Sequence, residues 1–162
     1  MTATRDVEAT FAIELPRTIT GVSLRTADNK AANSSASFFI GLSLDGNKSF
    51  VTAAGSTADM GIAGYINPDP AHLGQKADLV VVARVNGVYF MKAPDGNFIP
   101  WNGAVPSLVK FATGVTMVSN LEVPIFAGKI RLVGELFLFL GYVSQDGTLH
   151  YSPTPQRLLF TP

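Results

Sequence analysis

The sequence predicts an all-β protein, an antiparallel β-sandwich of the immunoglobulin or jelly-roll kind with at most one short helix. Three observations lead to this prediction. Short apolar runs recur along the chain, turn dipeptides such as Asp-Gly and Asn-Gly separate them about every 8–12 residues, and helical periodicity is almost lacking. A chain of 162 residues is long enough to bury one core without disulfides. We therefore expect residues 1–162 to form a single sandwich domain.

The first predicted strand covers residues 8–15, in which Phe11, Ile13 and Leu15 share one face. Pro16 ends it, because proline cannot donate a hydrogen bond to a β-ladder. An alternating strand at a chain end is able to pair with an exposed sheet edge of a neighbouring copy. We therefore expect residues 1–16 to include an N-terminal exchange strand, with Phe11, Ile13 and Leu15 as its self-association residues.

Residues 18–25 predict a second strand with a bulge at Gly21, where the apolar positions change parity. The small polar residues 26–36 are expected to form the longest loop. Residues 37–44 are predicted to form the next strand, and residues 49–52 its partner after the Asp45-Gly46-Asn47 turn. A further strand is predicted at residues 60–66.

A continuous run of apolar residues, Leu79 to Val82, predicts a central strand within residues 77–85. Asn86-Gly87 and Asp95-Gly96 predict tight hairpins after it, because glycine accepts the positive φ that such turns require. Residues 104–111 are the only segment compatible with a short helix. The expected strands around these features lie at residues 88–92, 98–101, 114–126 and 156–161.

Residues 132–151 are expected to organise the whole sheet. Residues 136–140 are consecutively apolar, so both faces of an extended segment would be buried. The Asp146-Gly147 dipeptide then predicts a turn into a partner strand that ends at Tyr151. The sequence of this hairpin weakly resembles that of residues 39–46, which would fit an internal duplication. Two hairpins built with the same turn residues explain the similarity more simply.

The charge balance argues against several classes of partner. Lys and Arg together number 12, as do Asp and Glu, so the chain lacks the basic footprint of a nucleic-acid-binding protein. Only 15% of residues are charged while 47% are hydrophobic, which predicts that apolar surface meets another chain in a homo-oligomer or polymer. No apolar run has the length of a transmembrane helix, so membrane insertion is not expected.

The absence of cysteine excludes both a disulfide framework and a thiolate metal site. No apolar segment follows residues 1–5, so no signal peptide is visible. Either the protein stays inside the cell, or the sequence is that of a processed chain.

Several segments from Ile62 onward resemble a known type of domain. These segments read INPDPAHLGQKADLVVVA, VYFMKAPDGNFIPWNG, LVKF and LFLFLGYVSQDGTLHYSPTPQRLLF. In this order they resemble a β-rich module found near the C-termini of large secreted or surface proteins of Proteobacteria. The resemblance covers about the last hundred residues. It implies an extracellular or cell-surface location and no established catalytic activity. We expect no cofactor.

The residues available for catalysis or metal binding are few. His72 and His150 are interpreted as a turn and a surface histidine, because no close cluster of His, Asp or Glu surrounds either one. No G-x-S-x-G nucleophile elbow is present, so an enzyme is not expected. Loop oxygens offer a structural calcium site, but turns that bond to their own backbone explain them more simply. These oxygens belong to Asp28, Asn29, Asp45, Asn47, Asp59, Asp69, Asp95 and Asn97.

Trp101 lies near Tyr89 and Phe98 in sequence, and the three side chains would suit a platform for a carbohydrate or a peptide. The interpretation we favour for Trp101 is that it plugs the core with its indole N–H on a backbone carbonyl. The function favoured by the sequence is a non-catalytic structural protein that assembles into a fibre by strand addition. A carbohydrate- or peptide-binding module is the second hypothesis.

Overall fold

The computed structural model describes residues 16–162 and confirms the all-β prediction. This part of the chain contains twelve strands and no α-helix. The predicted strand at residues 8–15, with Phe11, Ile13 and Leu15, lies outside the described residues. Two single-turn 3-10 helices occur, Pro70–His72 and Val105–Ser107. The second replaces the predicted helix at residues 104–111, since the backbone is extended again at Leu108. Among residues 16–162, no helix is long and apolar enough to cross a bilayer.

The strands are numbered in chain order. Strands β1 to β4 are Ile19–Arg25, Lys30–Ser43, Ala53–Gly55 and Asp59–Asn67. Strands β5 to β8 are Lys76–Val85, Val88–Lys92, Phe98–Pro100 and Ala112–Thr116. Strands β9 to β12 are Leu121–Lys129, Gly134–Val143, Thr148–Tyr151 and Gln156–Thr161.

One sheet connects all twelve strands and folds over on itself. Its main path runs β7-β6-β5-β10-β11-β1-β2-β4-β9, with every pair antiparallel. Off this path, β8 pairs with β5, while β12 pairs with β10 and runs parallel to β3. Strands β2, β4 and β9 share one core with β5, β10 and β12. The two layers meet closely at Gly64, where an added Cβ would lie 2.6 Å from Leu140 Cδ2.

Strand β10 is the central strand, as the sequence predicts. It pairs with β5 along most of its length, and its opposite edge pairs with β12 and then β11. Leu136, Leu138 and Leu140 point into the core and are nearly inaccessible, and burying each such side chain stabilises the fold by about 1.5–3 kcal/mol. Phe137 and Phe139 point to the opposite face and are half-buried, because side chains alternate along a strand.

Strand β2 is longer than predicted, because its first half replaces the expected loop at residues 26–36. The reversal is a tight turn before Lys30, with Asn29 at a φ of 55°, and Arg25 pairs directly with Lys30. The small polar residues of this half carry little intrinsic strand preference. Pairing with β1 therefore fixes their extended conformation. The predicted bulge at Gly21 is confirmed by a register shift between Thr20 and Val22.

Candidate functional site

An apolar groove of about 400 Å³ lies on the outer face of the sheet, across β5, β10, β11 and β1. Strand alternation places its floor residues there, since Val82 and Phe139 are paired neighbours on the face opposite the core. The segment after β7 forms its roof. The side chains that define the groove are Leu24, Val82, Trp101, Phe139, Leu149 and Tyr151. The site is thus walled by aliphatic and aromatic groups.

Trp101 presents its ring to this groove while its polar atoms are bound locally. Its backbone N–H donates to the Tyr89 carbonyl over 2.9 Å. Its indole N–H donates to the Ala104 carbonyl and to Ser107 Oγ, each over 3.1 Å. The predicted bond to a backbone carbonyl therefore exists, but the ring lies in the groove wall and not in the core. A bound molecule would meet an apolar surface here, because the indole N–H is already used.

The three residues predicted to form a ligand platform do not all come together. Tyr89 and Trp101 contact edge to face, with ring centroids 6.1 Å apart. Phe98 instead packs against the core side of the sheet, with its ring centroid 5.5 Å from Lys92 Nζ. The difference follows from strand parity, because Phe98 pairs with Lys92 at the start of β7 and Trp101 lies three residues further along.

Gly141 forms the floor of the groove and has no room for a side chain. A Cβ at this position would lie 2.7 Å from the His150 carbonyl oxygen and 3.0 Å from Tyr151 Cβ. Because the first of these atoms belongs to the backbone, a small side-chain rotation does not relieve the contact. The glycine therefore permits the close approach of β10 and β11 that shapes the groove.

A second site of interest is a buried polar cluster that joins four segments of the chain. The rings of Tyr142 and His150 stack with centroids 4.8 Å apart and planes 9° from parallel. His72 meets the His150 ring edge-on, also at 4.8 Å. Ser34 Oγ lies 2.9 Å from His150 Nδ1. We refer to Ser34, His72, Tyr142 and His150 as the histidine cluster.

Hydrogen bonds indicate which groups of the histidine cluster carry protons. The Asp69 N–H donates to the Tyr142 hydroxyl over 3.1 Å, which leaves that hydroxyl free to donate to His72 Nδ1 at 2.9 Å. Ser34 Oγ accepts from the Ala36 N–H and is placed to donate to His150 Nδ1. This arrangement suits a neutral imidazole at position 150.

Electrostatics favour the same neutral state. Burial lowers the pKa of His150, and the nearby His72 lowers it further, while Asp69 and Asp146 oppose the change. Burial also raises the pKa of the Tyr142 hydroxyl to about 12. His150 is therefore favoured in its neutral form, stacked on a tyrosine that stays protonated at physiological pH.

The prediction of a surface position for His150 is wrong, since only 6% of this residue is exposed. Sequence reasoning missed the cluster because His72 and His150 are distant along the chain. They meet because the Pro70–His72 turn contacts Tyr142, which pairs with His150 across β10 and β11. Ser34 is also 6% exposed, so a substrate has no access to the Ser34–His150 pair. The geometry thus fits a structural role better than nucleophilic catalysis.

Four of the five candidate aspartates bond to their own turns, as the simpler interpretation predicts, whereas Asp59 forms an exposed ion pair with Lys129. Asp45 accepts from the hydroxyls of Ser43 and Ser49 and from two backbone N–H groups, and these bonds hold its pKa far below the usual value. Asp146 accepts from Ser144 Oγ and the Thr148 N–H, which lowers its pKa to about 2. No group of three or more metal-ligating side chains occurs within residues 16–162.

The fold and site define an all-β protein with an apolar groove on one outer face and a buried histidine cluster beside it. Comparison of the chain with family models, with curated proteins and with solved structures gave no match.

Proposed function

We propose that this protein is a non-catalytic interaction protein that associates with copies of itself. In this proposal, residues 8–15 of one copy lie extended in the groove beside Trp101 of the next. The observation that carries the proposal is the apolar groove of about 400 Å³, a size and lining typical of a binding site. Head-to-tail contacts of this kind build an open fibre unless a rotation closes the ring.

The chemistry of residues 8–15 matches that of the groove. Phe11, Ile13 and Leu15 are spaced two residues apart, so an extended chain presents them on one side at intervals of about 7 Å. Burial of such side chains against Trp101 and Phe139 is favourable by about 25 cal/mol for each Å² of apolar surface removed from water. Apolar contact is thus the main source of affinity in this proposal.

The groove supports a peptide better than a carbohydrate. A sugar needs several hydrogen-bond partners beside its aromatic platform, whereas the groove is walled mainly by apolar side chains. The indole N–H of Trp101 is also occupied by Ala104 and Ser107. A carbohydrate ligand therefore remains the second hypothesis and the apolar segment the first.

The groove is also a better acceptor than the sheet edges. Strand β9 pairs only with β4, but Pro124 within it has no N–H to offer and the Ile125 carbonyl accepts from Lys92 Nζ over 2.9 Å. Strand β7 has only three residues. The two ends of the main strand path are thus poor templates for an added strand, and we place the contact on the sheet face.

The test compares the full chain with a chain that lacks residues 1–15. Light scattering is expected to show assemblies for the full chain and monomers for the shortened one. Adding a peptide of residues 8–15 to the shortened chain should shift the emission of Trp101, the single tryptophan, to shorter wavelength. A matched peptide with serine at positions 11, 13 and 15 should leave the emission unchanged.

Two variants locate the contact. Leu24→Ser removes a partly exposed groove side chain and should weaken peptide binding, whereas Val133→Ser, at a position that is 60% exposed, should not. Association that survives the removal of residues 1–15 would contradict the proposal. A full chain that stays monomeric would contradict it as well.

A location outside the cell or at its surface belongs to the same proposal. The resemblance to a module of secreted and surface proteins supports it. Protease accessibility on intact cells tests the location, and full protection of the protein until the cells are lysed would argue against it.

A further inference from the structure

A second apolar cavity lies between the two layers of the sandwich, separate from the groove beside Trp101. Its volume is about 320 Å³, near the lower end of the range for small-molecule sites. The gap between β9 and the β5–β6 hairpin opens into it. Six of its lining residues are Ile62, Ala83, Phe98, Ile125, Ile130 and Leu138. This wall contains only aliphatic and aromatic side chains, which suits a hydrocarbon chain.

The ammonium group of Lys92 lies beside this cavity. Lys92 Nζ donates to the Ile125 carbonyl over 2.9 Å and to the Gly96 carbonyl over 3.2 Å. It also lies 5.5 Å from the ring centroid of Phe98 and 5.9 Å from that of Phe111. Ile125 and Phe98 are themselves lining residues, so the ammonium group is adjacent to the cavity.

The charge of Lys92 is not neutralised by a contact within the described residues. In residues 16–162 the ion pairs involve other cations, and Asp95 acts on Lys92 only through space across the β6–β7 turn. An ammonium group has three N–H donors, and two are used by the carbonyls of Ile125 and Gly96. Partial burial lowers the pKa of Lys92, because burial disfavours the charged form of the amine. An anion placed beside Nζ would stabilise the ammonium form and offset this effect.

We infer that this cavity binds an anionic amphiphile, whose hydrocarbon chain lies between the layers and whose carboxylate or phosphate head contacts Lys92. The apolar lining and the unpaired cation at one end match the two parts of such a molecule. Each methylene group that enters contributes about 0.8 kcal/mol, and the head group receives a charge-assisted hydrogen bond. This inference does not depend on the proposed self-association.

The probe is monomeric decanoate, compared with decanol and decylammonium, which share its chain length but differ in charge. Titration calorimetry on the full chain should show decanoate binding at least about tenfold more tightly than either control, the factor expected for a hydrogen bond to a charged group. Equal binding of the three probes would overturn the inference, as would the absence of decanoate binding.

Variants then test Lys92 directly. Lys92→Met keeps the apolar stem and should weaken decanoate binding about tenfold or more while leaving decanol binding unchanged. Lys48→Met, in an exposed turn, is the matched control and should have no effect. Decanoate binding that shifts Trp101 emission and survives Lys92→Met would place the ligand in the outer groove and overturn the inference. If Lys92→Met fails to fold, the comparison of the three probes on the full chain still decides.

Discussion

Lowering the pH from about 7.5 to 5 is expected to destabilise this protein through His150. In the folded protein, burial and the neighbouring His72 lower the pKa of His150, whereas in the unfolded chain it is about 6.5. A group with a lowered folded pKa binds more protons when the chain unfolds. The contribution of His150 to the free energy of unfolding is therefore fully present well above pH 6.5 and is lost as the pH decreases through this value toward the folded pKa.

The magnitude follows from proton linkage. One group that takes up a full proton on unfolding changes the free energy of unfolding by about 1.4 kcal/mol per pH unit, and this is the steepest slope that His150 alone can produce. Asp69 and Asp146, the carboxylates that face it, reduce the slope because they stabilise the imidazolium. Their own lowered pKa values cause a separate loss of stability, which starts only as the pH falls below about 4.

The assay is urea denaturation at a series of pH values, followed by the circular dichroism of the sheet. His150→Gln should lower the stability at pH 7.5, because the stacking on Tyr142 is lost, and should flatten the slope between pH 6.5 and 5. His72→Gln should make the slope shallower without removing it. A wild-type slope near zero in this range, or an unchanged slope in His150→Gln, would refute the reasoning.

Three further predictions concern packing and charge. Gly141→Ala should destabilise the fold by about 1–3 kcal/mol in urea denaturation, because its Cβ would lie 2.7 Å from a backbone oxygen; a neutral result would contradict the close approach of β10 and β11. Leu138→Ala should lower the free energy of unfolding by about 2–5 kcal/mol, since this core side chain is 1% exposed. A clearly smaller decrease in calorimetric unfolding would indicate a loosely packed core and contradict this prediction. Glu135→Gln should change stability by less than about 1 kcal/mol, because Glu135 and its ion-pair partner Arg157 are both largely exposed; a larger loss in thermal unfolding would argue against this.

Features set by local chemistry were predictable from the sequence. The hairpin at Asn86-Gly87 has positive φ at both positions, 49° and 79°, as its turn type requires. The Asp146-Gly147 turn likewise follows the central strand. In each case a dipeptide and the apolar runs beside it are sufficient, because the interactions that form the hairpin lie within a few residues.

Features set by long-range pairing were not predictable in the same way. Ala53–Gly55 is too short and too small in side-chain volume to show a strand pattern, and it is extended because it pairs in parallel with β12. Residues 30–36 are polar and small, and pairing with β1 makes them a strand. A single sequence contains no signal for which distant strand a segment joins.

The candidate sites also differ in whether they depend on local or on long-range contacts. Tyr89 and Trp101 were placed near each other because they belong to one short hairpin region, and the structure brings them together. The histidine cluster depends on residues of β2, β10 and β11 meeting around His72, and no local stretch of the sequence indicates this contact. The position of Lys92 beside an apolar cavity likewise depends on β9, which is distant in sequence.

The most direct test of self-association through the groove is a photo-cross-link from position 13. A benzoylphenylalanine in place of Ile13 would be introduced into an isotopically heavy chain, which is then mixed with a light chain and irradiated. We predict that mass spectrometry will find heavy-to-light cross-links at groove residues such as Trp101, Phe139 or Tyr151. Cross-links confined to heavy-to-heavy peptides within a monomer, or directed to another surface, would contradict the account.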